Sequence, residues 1–311
     1  QSVVIDPKKT KRYHDVFAED KNDQIDAFYI ADYLRVGHYS VGLVRQDNYI
    51  ALQRLTRSRY ELVQSLVRAK QHFIENLYYK LNELVISDEL NTSVFGSTMM
   101  SLLTEDMTTD DLLNISLSDL TAYLTEHGRG RFANPEALAK TIQKAVRSSY
   151  RLDKVVANSV DTVLSVYAEE IKAFQKMIKD LDKAIEKTVK VIDEEQILRS
   201  IPGIGAVDAA GILAEIGQIE RFDNEAKLAK YAGLSWKEKQ SGNYASDNTP
   251  LKRTGNAYLR YYLVEAANLV RTHDPVFGEY YQRKYKEVKH TPSKRALVLT
   301  ARKLVRVIFF L

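Results

Sequence analysis

Apolar positions along the chain recur mostly at helical spacing, and two stretches carry the pattern much further than the rest. Over residues 48–82, Leu52, Leu55, Leu62, Leu66, Ala69 and Phe73 fall on one stripe, with neither Gly nor Pro in the segment. This predicts one long amphipathic helix. From Glu136 to Ile201 Gly and Pro are again absent. Val160, Leu164, Tyr167, Ile171, Phe174, Ile178, Leu181, Ile185, Thr188 and Ile192 repeat there at alternating steps of four and three. That spacing is a heptad seam and predicts a second long helix, for which 48–82 is the natural antiparallel partner, within one chain or across two. A helix in an ordinary bundle satisfies the same spacing.

The shorter elements follow from the breaks between them. Ile25, Phe28, Tyr29 and Tyr33 predict a helix over 22–35 that Gly37 ends, while Val3-Val4-Ile5 before Asp6-Pro7, and Val41 to Val44, read as strands. The stretch 88–126 reads as short helical pieces; Ser116-Leu117-Ser118-Asp119 looks like a helix start and His127-Gly128 like its end. The segment from 199 to 311 reads as helical. The expected organisation is residues 1–47, residues 48–198 as a helical region with an acidic insertion, and residues 199–311.

Composition narrows the class. The chain has 311 residues, 45% hydrophobic and 28% charged, and no Cys. General disorder, a disulfide framework and thiolate metal sites are therefore excluded. No apolar run approaches the roughly 18 residues a membrane span needs, and the opening residues carry no signal-peptide pattern, so a cytoplasmic protein without a membrane partner is expected. The net charge of +4 is unevenly spread. Leu251 to Leu311 holds thirteen Lys/Arg against four acids, whereas Asp88 to Glu126 holds eight acids and no Lys or Arg. A basic C-terminal third suits a polyanion partner; a solvated lysine-rich surface is the plainer alternative. The six His are scattered without metal-ligand spacing, and no GxxxxGK[ST] loop is present, which argues against a zinc site or an NTPase.

Three features could carry chemistry. Ile201-Pro202-Gly203-Ile204-Gly205, before an Ala-rich helix, has the pattern of a helix-hairpin-helix. Its glycines, Gly203 and Gly205, allow a tight turn and present backbone N–H groups to a phosphate; a tight turn between packed helices is the alternative. Lys239-Gln240-Ser241-Gly242-Asn243 is a polar loop in which Ser241 is either a nucleophile or a turn former. Lys239, Lys252 and Arg253 flank it and suit a phosphate. Finally, Asp23 and Asp26 share one helix face. They either hold Mg²⁺ or favour the helix dipole from the first turn.

In order along the chain, Lys21 to Ala27, Gly128-Arg129-Gly130-Arg131-Phe132, Ile201 to Gly205, Tyr231-Ala232-Gly233-Leu234, Gln240-Ser241-Gly242, Thr254-Gly255-Asn256 with Leu259-Arg260, and Ala301-Arg302-Lys303-Leu304 resemble the insertion-sequence transposases of the "one-ten" type. The resemblance implies a mainly α protein: a remnant of an α/β RuvC-like (RNase H-like) DEDD domain over 1–47, long coiled-coil helices, and a helical transposase domain with a helix-hairpin-helix over 199–311. It implies a DNA transposase or recombinase that works on transposon ends and target with a guide RNA, as a homodimer or tetramer. Asp23 and Asp26 match the last two acids of the DEDD set, ligands of Mg²⁺. Ser241 matches the serine that attacks a DNA phosphate. Gly203, Gly205, Lys239, Lys252, Arg253 and Arg260 would bind nucleic acid. The family's first Asp and its Glu lie upstream of what Gln1 begins, so a trimmed, catalytically incomplete chain is expected. A non-catalytic helix-hairpin-helix binding module and a metal-dependent junction nuclease are the competing readings.

Overall fold

In a computed structural model of the chain, residues 5, 7–17, 22–37, 47–236, 240–241, 244–245, 251–252, 254–287 and 291–311 are described, with only the backbone at 240–241 and 244–245. These residues form a mainly helical protein. The strands expected at Val3-Val4 and at Val41 to Val44, with Asp6, lie outside the described residues.

Helices α1 (Pro7–Phe17) and α2 (Asp23–Arg35) pack as a pair. Tyr13 meets Phe17, Tyr29 and Tyr33 edge to face and its hydroxyl donates to Asp32 at 2.6 Å. Asn22 caps α2 by accepting from the Ile25 N–H at 2.9 Å, which satisfies one of the open donors of the first turn.

The two long helices form as the stripe requires: α3 (Asp47–Lys80) is 34 residues, roughly 50 Å at 1.5 Å per residue. Five short helices follow: α4 (Asn82–Ile86), α5 (Ser97–Ser101), α6 (Thr109–Asn114), α7 (Leu117–Gly128) and α8 (Pro135–Ser148), with a π-helical turn at Leu102–Asp106. Then α9 (Lys154–Val189) runs back along α3. Their antiparallel register is marked by Arg59 Nε on Asp182 Oδ1 at 2.5 Å and Lys80 Nζ on Asp161 Oδ1 at 2.8 Å.

One expectation is corrected here. The Gly- and Pro-free stretch from Glu136 to Ile201 is not one helix: it breaks at 149–153 and again at 190–193. At the first break Asn82 takes over a backbone bond that a helix would have made, its Oδ1 accepting from the Tyr150 N–H at 3.0 Å, and Ser149 Oγ in return accepts from the Glu83 N–H in the first turn of α4 at 3.2 Å. Asp153 then caps α9 through the Val155 N–H. Ile192, the last seam position, is buried in the second turn, beyond the end of α9. The middle of the seam, at Phe174, Ile178 and Leu181, is only half-buried.

Two apolar cores sit at opposite ends of this helix pair. The acidic lobe, α4–α8, closes over Phe73 and Leu77 of α3 and Leu164 and Ile171 of α9. Two of its acids serve helix starts, Asp111 in a capping box with Thr108 and Asp119 beside the α7 cap Ser116, while Glu89 and Glu105 pair with Lys144 and Lys172. The second core takes in Tyr49 and Leu52 of α3, Ile185 and Val189 of α9, and the C-terminal helices. These are α10 (Glu194–Arg199), α11 (Ala206–Ile216), α12 (Glu225–Tyr231), α13 (Ala257–His273), α14 (Pro275–Glu287) and α15 (Pro292–Phe310). A short antiparallel ribbon, β1 (Gln240–Ser241) and β2 (Tyr244–Ala245), interrupts them. At the centre Gly211 of α11 faces the ring of Tyr262, so that a Cβ would overlap it. Tyr262 is fully buried and donates to the Thr56 carbonyl at 2.7 Å, tying α13, α11 and α3 together.

Candidate functional site

Stretches that the sequence offers only as separate motifs meet at one junction, at the base of the ribbon. Helix α12 ends in a Schellman arrangement: the Gly233 N–H donates to the Lys230 carbonyl at 3.0 Å and the Leu234 N–H to that of Ala229 at 2.8 Å. Gly233 takes φ +71°, where a side chain is disfavoured. The chain then leaves through Ser235, whose carbonyl accepts from the Lys252 N–H at 2.7 Å, and through Trp236, which bridges Leu251. The ribbon lies beyond that stem, with Ser241 opposite Tyr244.

Gly255 closes the junction from the other side. At φ +129°, a Cβ there would lie 2.6 Å from the Tyr231 carbonyl oxygen and 2.7 Å from the Gly233 nitrogen. Asn256 follows and makes four bonds with one side chain. Its Oδ1 caps α13 by accepting from Tyr258 and Leu259 N–H groups at 3.0 and 3.1 Å. Its Nδ2 donates to Glu215 Oε2 at 2.6 Å and to the Tyr231 hydroxyl at 3.1 Å. Arg260, one turn on, donates to the Ala232 carbonyl at 3.4 Å.

Glu215 is the residue that sequence reasoning missed. It sits on the apolar helix α11, its side chain wholly buried. It accepts two bonds from Arg57 of α3, at 2.7 and 2.9 Å, and one from Gln53 at 3.2 Å. The carboxylate holds the Arg57 guanidinium above its ordinary value. Arg57 also lies over the Tyr258 ring at 4.6 Å. A buried carboxylate is costly unless paired and hydrogen-bonded, and here it is both. The signal was an acid in the otherwise apolar run Gly211–Ile216; its partner is 158 residues away and had no local mark.

The expected site residues divide accordingly. Lys252 and Arg260 stand at the ribbon base with Ser241 on the ribbon itself. Lys239 and Arg253 lie outside the described residues. Gly203 and Gly205 are elsewhere, in the turn between α10 and α11. Gly203 takes φ +96° and presses on the far part of α13, where a Cβ would lie 2.8 Å from the Val270 nitrogen. Its requirement is close helix packing. Gly205 is exposed, meets nothing within 4 Å and caps α11. The first turn of that helix carries Asp208, whose carboxyl burial pushes up to about 6.

Asp23 and Asp26 occupy the first turn of α2. Asp23 is exposed; Asp26 is half-buried, with Oδ1 3.6 Å from Nε2 of the buried His14. Among the described residues no group of three or more His, Asp or Glu is placed to hold a metal. Two carboxylates nevertheless suit Mg²⁺, which keeps several waters and takes one or two carboxylates beside a substrate phosphate.

Comparison with known proteins assigns these segments. Residues 1–79 match the family model of the DEDD transposases of insertion sequence IS110, and residues 195–282 match that of the IS116/IS110/IS902 transposase family. The chain is 29% identical over 285 residues to a 42 kDa protein of insertion element IS900 from Mycobacterium paratuberculosis, covering 90% of this chain and 69% of that protein. It is 27% identical over 318 residues to a 44.8 kDa protein of IS116 from Streptomyces clavuligerus, covering 99% and 76%. A pilin gene-inverting protein of Moraxella bovis is 26% identical over 171 residues, covering 52% of each chain. The chain belongs to the IS110 family of insertion-sequence transposases. It is thus of a family of enzymes that cleave and recombine DNA. Among the described residues no helix is long and apolar enough to cross a membrane.

Proposed function

We propose that the chain carries out strand cleavage and exchange for an insertion sequence with Ser241 as nucleophile. The observation that supports this is the ribbon base: Ser241 lies on a short ribbon beyond a stem that leaves between Gly233 and Gly255, and Lys252 and Arg260 stand at that base. In the proposed step the Ser241 hydroxyl oxygen forms a bond to a DNA phosphorus. The bond from phosphorus to one sugar oxygen breaks, the hydroxyl proton is lost, and the leaving oxygen gains a proton. The phosphodiester stays linked to the protein until a second strand's hydroxyl displaces serine. Lys252 and Arg260, with Lys239 and Arg253, neutralise phosphate charge.

Asp23 and Asp26 are the residues that would hold Mg²⁺, which when bound neutralises charge on a phosphoryl oxygen. The turn at Gly203 and Gly205 is read as a helix-hairpin-helix that grips the DNA backbone, residues 1–47 as part of a RuvC-like fold, and the α3–α9 pair as a coiled coil that assembles a dimer or tetramer. A guide RNA and a cytoplasmic location belong to the same reading.

The test is trapping of a covalent protein–DNA adduct by the full-length protein on DNA carrying the ends of its element, with Mg²⁺. Ser241→Ala should abolish the adduct, and Asp23→Ala or Asp26→Ala should slow it by about 10²-fold or more. Strand exchange that survives both Ser241→Ala and Asp23→Ala overturns the proposal.

A further inference from the structure

We propose that Glu215 is a positioning residue for the ribbon that bears Ser241, acting through Asn256. The ribbon is attached to the rest of the lobe by a narrow stem. Its stem is two residues wide at each side: Ser235-Trp236 on one strand and Leu251-Lys252 on the other. Immediately below, the chain passes Gly255 and enters α13 at Asn256, whose own N–H donates to the Tyr231 carbonyl at 2.7 Å. The end of α12 and the start of α13 therefore meet at Asn256, directly after the close approach of Gly255 to Gly233 from which the stem leaves.

Asn256 capping α13 would satisfy the helix by itself, through Oδ1 alone. The Nδ2 bonds serve a different end. They fasten the junction to Glu215, at 2.6 Å, and Glu215 is fastened in turn to α3 by Arg57 and Gln53. Helix α3 is long and packed into both cores, so Glu215 refers the ribbon base to a helix anchored at both ends. The carboxylate is suited to this because it accepts from three side chains at once and is itself wholly shielded from water. A group held this way keeps a reactive loop within the sub-ångström tolerance that in-line attack demands.

The inference rests on the Ser241 reading only for its catalytic consequence. Its structural content is testable without DNA, because Trp236, the chain's sole tryptophan, sits in the stem. Asn256→Asp keeps the capping oxygen and replaces the donor with a second carboxylate oxygen facing Glu215. Two carboxylates at that distance coexist comfortably only when they share a proton. Around them stand Gln53, the Tyr231 hydroxyl and the Arg57 guanidinium, whose charge favours loss of the shared proton.

The experiment is acrylamide quenching of Trp236 in wild type and Asn256→Asp across pH 5 to 8. The expected result is quenching close to wild type near pH 5, rising to about twice the wild-type value near pH 8 as the shared proton is lost and the stem opens. A variant that tracks the wild type at every pH, or that differs from it equally at every pH, overturns the proposal. In the full-length protein, adduct formation at saturating DNA should fall about tenfold or more at pH 8, with DNA affinity kept. Failure of the Ser241 reading appears separately, as an adduct that persists in Ser241→Ala, and leaves the quenching result to stand or fall alone.

Discussion

The two segments expected to do chemistry are built in opposite ways. Asp23 and Asp26 lie on a helix pair whose hydrogen bonds are local: Asn22 to Ile25, Tyr13 to Asp32, Tyr29 to the Phe17 carbonyl. Ser241 lies on a ribbon whose foundations are long-range and buried, with Glu215, Arg57, Asn256 and Tyr231 drawn from four parts of the chain. The difference teaches where precision is needed. In the proposed mechanism Ser241 must meet phosphorus in line, where a misplacement of about 1 Å is costly, and the base of its ribbon is correspondingly tied to α3, α11 and α12.

The contrast breaks first at Glu215. Glu215→Ala strands Arg57 and Asn256 and should lower global stability by about 2–3 kcal/mol in denaturant unfolding, the upper range for a buried pair being relieved by Arg57's partial exposure. A loss below about 0.5 kcal/mol would put the ribbon base on the same footing as α1–α2. The two hairpin glycines sharpen it next. Gly203→Ala combines φ +96° with a collision against the α13 backbone and should cost about 2 kcal/mol, while Gly205→Ala, with open space around it, should cost about 1 kcal/mol or less. Equal losses would contradict the packing described for Gly203.

Asp208 gives a pH signature. Its folded value of about 6 exceeds the ordinary 3.8, chiefly through burial, with Glu265 and Asp182 adding to the rise and Arg59 opposing it. Between those values the folded protein holds more protons than the unfolded one, so stability falls as pH rises from about 4 through about 6 and remains lower above. Asp208→Asn should remove that slope and be more stable at pH 7.5 by about 1–2 kcal/mol, read from unfolding at a series of pH values. The smallest effect is expected at Asn22→Ala, about 1 kcal/mol or less. It should appear as faster amide exchange in α2 alone, leaving the unfolding of the two cores unchanged.

Much of the fold was legible because it depends on periodicity. The stripe on α3 and the seam on α9 announced themselves, as did the cap at Ser116 and the stop at Gly37. The break at 149–153 did not, because no Gly or Pro marks it. It exists through tertiary bonds to Asn82 and Ser149 that no local window contains. The site divides the same way. Gly233, Gly255 and Asn256 were visible within family motifs, yet their meeting point was not. Gly203 was visible as a turn glycine, but its close approach to the α13 backbone was not. Glu215 had only its isolation among apolar neighbours to give it away, and its meaning lies on α3.

The two ion pairs along the α3–α9 strut have a consequence for how such a molecule can change. Arg59 to Asp182 and Lys80 to Asp161 are separated by 21 residues on both helices, a whole number of heptads. The strut thus behaves as a ruler whose two edges share one graduation. Removing or adding residues in one helix alone would shear one lobe's core against the other and cut one of the pairs. Lengthening or shortening of the molecule is tolerable only as matched steps in both helices, in units that return each seam to its partner, and the gap between the lobes can then be reset only in discrete increments.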